Sequence, residues 1–102
     1  MLEELWAKMR GGDQWPETQA IVRSVLQYDE PSANRYEAIH VQKLADVTFA
    51  YTDTRRELQY GWIRVKESSS LWDAREDDTF PIRINPANPE EYYSPEAIKA
   101  DL

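Results

Sequence analysis

A chain of 102 residues with 41% hydrophobic residues, 4 Trp, 6 Tyr and 2 Phe makes one domain, not a disordered polymer. It is long enough to bury roughly two-thirds of its unfolded surface in a single core. The net charge of −7 argues against nucleic acid and against anionic membrane surfaces, because both are bound through Lys and Arg. The absence of cysteine excludes disulfides, thiol catalysis and cysteine-ligated metals.

Met1 to Arg10 reads as a short amphipathic helix. Leu2, Leu5, Trp6 and Met9 form one stripe, and Gly11-Gly12 supplies the stop. Its acidic start is unlike a signal peptide, and no apolar run in the chain is long enough to cross a bilayer. The expected address is cytoplasmic, although a soluble piece of a membrane-attached protein would read the same way. The expected division is residues 1–12 as this helix, 13–93 as a single β domain, and 94–102 as a helical tail.

Trp15 to Tyr28 is ambiguous. Ile21, Val22, Val25 and Leu26 have helical spacing behind Pro16, yet the same residues form a strand buried on both faces. Asp29 to Asn34 has turn composition. Tyr36 to Thr52 then suggests one long strand with Ile39, Val41, Ala45, Val47, Phe49 and Tyr51 on one face, repaired by a bulge near Lys43. Thr54 to Arg56 carries a hairpin turn. Leu58, Tyr60 and Trp62 resume the inward alternation, which switches at Gly61 to Ile63 and Val65 and suggests a second bulge.

Glu67 to Asp78 is a polar loop. Phe80, Ile82 and Ile84 alternate in a last strand, and Pro81, lacking an N–H, puts its start at an edge. Asn85-Pro86-Ala87-Asn88-Pro89 reads as a double turn. Ser94 as cap and Pro95 at the first helical position predict a short C-terminal helix.

The Trp15-Pro16 entry, the Val47-x-Phe49-x-Tyr51 to Tyr60-x-Trp62 hairpin and the closing Ile82-Arg83-Ile84-Asn85-Pro86-Ala87-Asn88-Pro89 together resemble the bacterial family called domain of unknown function 3592. The resemblance runs from about Trp15 to Tyr93 and rests mainly on the final motif. It departs at Ile84, where that family usually has tyrosine, and in lacking the membrane helices common there. It implies a small β domain, tips Trp15 to Tyr28 toward strand, and supplies no catalytic residue.

The predicted fold is mostly β: four to five antiparallel strands in a curled sheet or open small barrel, with short helices at both ends. The alternative is α+β, with residues 16–27 helical. Enzyme chemistry finds little support. His40 is the only histidine, with no cysteine or nucleophile elbow beside it, and the three glycines form no phosphate loop. Asp73, Glu76, Asp77 and Asp78 lack the spacing of a calcium loop and read as a solvated acidic run. No metal or cofactor is expected.

Aromatic residues are the better lead, since tryptophan and tyrosine are enriched at binding hot spots. Trp15, Phe49, Tyr51 and Phe80 read as core. Trp62, Trp72, Tyr92 and Tyr93 are the candidate partner-binding residues, with Trp72 on the polar loop and Tyr92-Tyr93 after the double turn expected to reach solvent. The expected function is a non-catalytic interaction or accessory domain that binds a protein or peptide through an edge strand or these aromatic loops. Self-association through an uncovered edge is a further possibility. The alternative is a small hydrolase or carbohydrate-binding protein that uses the 73–78 acids beside Trp72.

Overall fold

The computed structural model describes residues 12–32 and 40–100. After a single 3-10 turn at Gly12–Gln14 come β1 (Glu17–Ser32), β2 (His40–Thr52), β3 (Leu58–Lys66), β4 (Thr79–Asn85), β5 (Asn88–Tyr93) and the two-residue β6 (Lys99–Ala100). They form one antiparallel sheet in the order β5-β4-β1-β2-β3-β6, curled until it is nearly a closed barrel.

Residues 17–27 are therefore strand, as the β reading expected, and none of 16–27 is helix. The helical spacing of Ile21, Val22, Val25 and Leu26 misleads because β1 is irregular. A bulge lies between Val22 and Ser24, and the strand is shared along its length. Glu17 to Ile21 pairs with β4, whereas Ile21 to Ser32 pairs with β2.

β2 and β3 make the expected hairpin, in register from Leu44↔Lys66 to Thr52↔Leu58 without a bulge near Lys43 or at Gly61. Val47, Phe49 and Tyr51 face inward as expected. Leu58, Tyr60 and Trp62 do not join them. Phe49 pairs with Gly61 and Ala50 with Tyr60, so Tyr60 stands on the opposite face from Phe49. The inward set of β3 is Gly61, Ile63 and Val65, all buried. The apparent slip at Gly61 is thus a glycine inside an unbroken inward row.

Asp53 builds the β2–β3 turn. Its buried carboxylate accepts hydrogen bonds from Arg55 N (2.8 Å), Glu57 N (3.0 Å), Gln59 Nε2 (3.0 Å) and Arg55 Nη2 (3.1 Å). Arg56 takes the left-handed conformation, φ 65°, that the turn requires. Asn85 does a similar task before β5, its Oδ1 accepting from Ala87 N at 2.9 Å. The expected double turn is a single one, because Asn88 and Pro89 already belong to β5.

The core is an aromatic cluster. Phe49 meets Phe80 and Tyr92 edge to face, at 5.3 and 5.2 Å between centroids, with Tyr51 tilted beside it at 6.0 Å. Around it lie Ala20, Val22, Val47, Ile63, Val65, Ile82 and Ile84, all buried. Tyr92 also closes the barrel. Its hydroxyl accepts from Trp62 N at 3.0 Å and donates to Trp62 O at 2.9 Å, filling a strand's place on the open edge of β3.

The expected C-terminal helix is absent. Ser94 caps a turn instead, accepting from Glu96 N at 3.3 Å, and the chain crosses to pair β6 with Ile63 and Arg64 of β3. Helix formation loses because Ile98 N donates to Arg64 O at 2.7 Å, a bond that extends the sheet. The expected N-terminal helix at 1–12 and residues Tyr36 to Ile39 of the long strand lie outside the described residues, apart from Gly12. No helix among the described residues is long and apolar enough to cross a membrane.

Candidate interaction surface

The sequence nominated four residues, and the structure scatters them. Tyr92 is fully buried in the core, and Tyr93 packs against Trp15 in a small second cluster, so neither reaches solvent as expected. Their burial follows from Asn88–Tyr93 being a paired strand and not a loop. Trp72 is half-buried and packs on the core, with its carbonyl accepting from Gln27 Nε2 at 2.7 Å. Only Trp62 faces outward, half-buried on the convex face of β3. Trp62 and Tyr92 do meet, through the hydroxyl clasp described above.

The acids beside Trp72 are exposed and engaged in local structure. Asp78 Oδ2 accepts from Arg75 N at 2.9 Å, and Asp77, in the left-handed region at φ 75°, lies 3.9 Å from Arg23. Backbone bonds from Val22 N to Asp78 O and from Asp77 N to Val22 O stitch this loop to β1. No group of three or more metal-ligating side chains converges among the described residues.

What the structure does assemble is the convex face of β1, β2 and β3. Lateral pairing sets Ile21 beside Ala50 and Tyr60, Ser24 beside Thr48 and Trp62, and Leu26 beside Asp46 and Arg64. On this face Tyr60 is 65% exposed, Leu26 64%, Leu58 59% and Ile21 41%. A scattered exposed leucine is ordinary, but Ile21, Leu58 and Tyr60 fall together at one end of the face.

At the middle of the face, Arg64 lies between two rings, with its Cζ 5.6 Å from the centre of Tyr28 and 5.5 Å from that of Trp62. Asp46 pins it, accepting from Nε at 2.8 Å and from Nη2 at 3.4 Å, and also accepts the Tyr28 hydroxyl at 3.1 Å. The hydrogen bond to Asp46 raises the Arg64 pKa, and the bonds from Nε and Nη2 hold the guanidinium in one place. Burial and the bond to Asp46 raise the Tyr28 hydroxyl as well. Two shallow grooves flank this cluster. One, about 410 Å³, has Ser24 and Thr48 as floor with Leu26, Trp62 and the Asp46–Arg64 pair around it. The other, about 460 Å³, lies between Glu17–Gln19, Ile21, Ala50–Thr52 and Leu58.

The sequence missed Tyr28, Asp46, Arg64 and the outward course of Leu58 and Tyr60. Asp46 and Arg64 meet only through the β2–β3 register, which no spacing along the chain reveals. Both sheet edges are covered in part. Tyr92 and β6 occupy β3 from Trp62 onward. On β5 the Asn88 side chain caps Glu90 N, and the Tyr51 hydroxyl donates to Pro89 O at 2.9 Å. No protein family, curated protein or solved structure matches the chain.

Proposed function

We propose that this protein is a non-catalytic interaction module that binds a protein or peptide partner on the convex face of β1, β2 and β3. The observation that carries this reading is the exposed set Ile21, Leu58 and Tyr60 beside a preorganised Trp62–Arg64–Tyr28 stack. Tyr, Trp and Arg are the residues that dominate binding hot spots, and a fixed guanidinium loses little conformational freedom on docking. Tyr92 and Tyr93 are buried and Trp72 is half-buried on the core, which favours the sheet over the loops as the surface. The relation to the domain of unknown function 3592 family is part of the same proposal and rests on the sequence motifs.

The test is to pan a displayed random-peptide library against the immobilised domain and against the double variant Leu58→Ser, Tyr60→Ser. Peptides enriched on the native face should lose at least about tenfold in affinity for the variant, since two hot-spot side chains are removed. Unchanged thermal unfolding of the variant confirms that the fold survives. Equal enrichment on both proteins would reject the reading.

A further inference from the structure

β1 parts from β2 in a way that leaves two strands facing each other without a ladder. Trp62 N and O both bond the Tyr92 hydroxyl, so Trp62 faces away from β2. Alternation across the regular β2–β3 register then aims Thr48, Ala50 and Thr52 at β1. Asp53 N, bonded to Glu57 O, keeps to the same rule on the β3 side. On β1, Val22 bonds Asp77 and Asp78 next to β4, and Pro16 O accepts from Ile84 N of β4. The even-numbered residues 16 to 22 therefore face β4, and Glu17, Gln19 and Ile21 face β2.

Ile21↔Ala50 is the last pair of the β1–β2 ladder at this end. Continued in register, the next opposed pair would be Gln19 with Thr52, and β1 instead leaves to follow β4, pairing Gln19 with Pro81. Pro81 has no N–H to offer, in keeping with Gln19 facing the other way. The space between the parted strands is the 460 Å³ groove, with the main chain of Gln19 on one wall, that of Thr52 on the other, and Ile21 and Leu58 at its outer lip.

We infer that this cleft receives one extended peptide segment from the partner, which wedges between β1 and β2 and hydrogen-bonds Gln19 on one side and Thr52 on the other. The inference rests on the interaction-module reading and names its binding mode. A single strand is the occupant because only an extended backbone offers N–H and C=O groups to both walls at once. Since β1 and β2 are antiparallel, the guest runs parallel to one and antiparallel to the other. Its outward side chains cover Ile21 and Leu58, so an apolar residue belongs there. Glu17, the one charged residue lining the groove, already lies 3.9 Å from Arg83, so its charge sets no requirement on the guest.

The experiment uses a synthetic peptide enriched in the panning described above, with the 102-residue chain labelled for amide exchange. On binding, the amides of Gln19 and Thr52 should change from fast to protected exchange. N-methylation of the inserted peptide residue should weaken affinity about tenfold per hydrogen bond lost. Methylation at a residue outside the cleft should change little. A peptide whose binding depends on Leu58 and Tyr60, but leaves both amides fast and tolerates N-methylation throughout, overturns the wedge and leaves the docking face standing. A library that yields no peptide dependent on Leu58 and Tyr60 overturns both.

Discussion

Asp53 shows how much one side chain can organise. Burial alone would push its carboxyl up, but the hydrogen bonds from Gln59, Glu57 and Arg55 outweigh that and hold it down at about 2. The folded value lies below the ordinary 3.8, so the contribution to stability is present above about pH 4 and is lost as pH falls toward about 2. Thermal midpoints measured from pH 6 downward should fall through this window. Asp53→Asn should start lower and show a flatter acid slope, whereas an unchanged slope would remove Asp53 from the account. The same carboxylate helps burial hold the Tyr51 hydroxyl up near 12, so Tyr51 stays a neutral donor to Pro89 O at ordinary pH. Gly61 is a second single-residue constraint. A Cβ there would stand 2.7 Å from Tyr92 Cε1 and 2.9 Å from Phe49 Cζ, both in fully buried rings. Gly61→Ala should cost about 1–3 kcal/mol as overpacking. Thermal unfolding would show this as a loss of roughly 4–8 °C per kcal/mol.

At the scale of elements, the β1–β2 hairpin is held unevenly. Between Ala45 and Phe49, β2 is flanked by β1 on one side and β3 on the other. Beyond the Tyr28↔Leu44↔Lys66 row, residues 29–32 and 40–43 pair, among the described residues, only with each other, and Val41 there is 60% exposed. An isolated two-stranded ribbon is marginal in water. Amide exchange should therefore run much faster at Asp29, Glu30, Gln42 and Lys43 than at Val47 and Phe49. Equal protection would mean that something else covers the ribbon. The loop between β3 and β4 behaves differently, because it is tied at several points. Glu96 accepts from the Ser69 and Ser70 hydroxyls at 3.2 and 2.8 Å, while Gln27 holds the Trp72 carbonyl.

For the whole molecule, the barrel closes by side chains more than by strands. Tyr92 clasps Trp62, Tyr51 clasps Pro89, and the chain after Ser94 crosses to the far edge to form β6. Trp72 completes this shell from outside the sheet. Because it is half-buried on the core, Trp72→Ala should lower stability on the order of 2 kcal/mol, part of the 3–5 that a fully buried Trp→Ala costs. A midpoint unchanged by this substitution would return Trp72 to the solvent-exposed role that its loop composition suggested.

The sequence alone determined the hairpin turning at Arg55, the alternating strand Phe80 to Ile84, and the inward run Val47, Phe49 and Tyr51, because period-two alternation and turn residues are local properties. It also marked Asn85 as a turn former, but it read Gly61 as a bulge where the strand runs unbroken. It could not determine which face of β3 turned inward, since Leu58, Tyr60 and Trp62 are as apolar as the buried Ile63 and Val65. Only the register against β2, set by the Asp53 turn, fixed that choice. Tyr92 and Tyr93 passed from loop to core for the same reason, as the strand that buries them exists only by pairing with β4. The Asp46–Arg64 pair, the aromatic stack and the parted strands at Gln19 and Thr52 are long-range products of the sheet order. Tertiary structure alone decided them, because a strand's neighbours are chosen by the whole barrel and not by the strand.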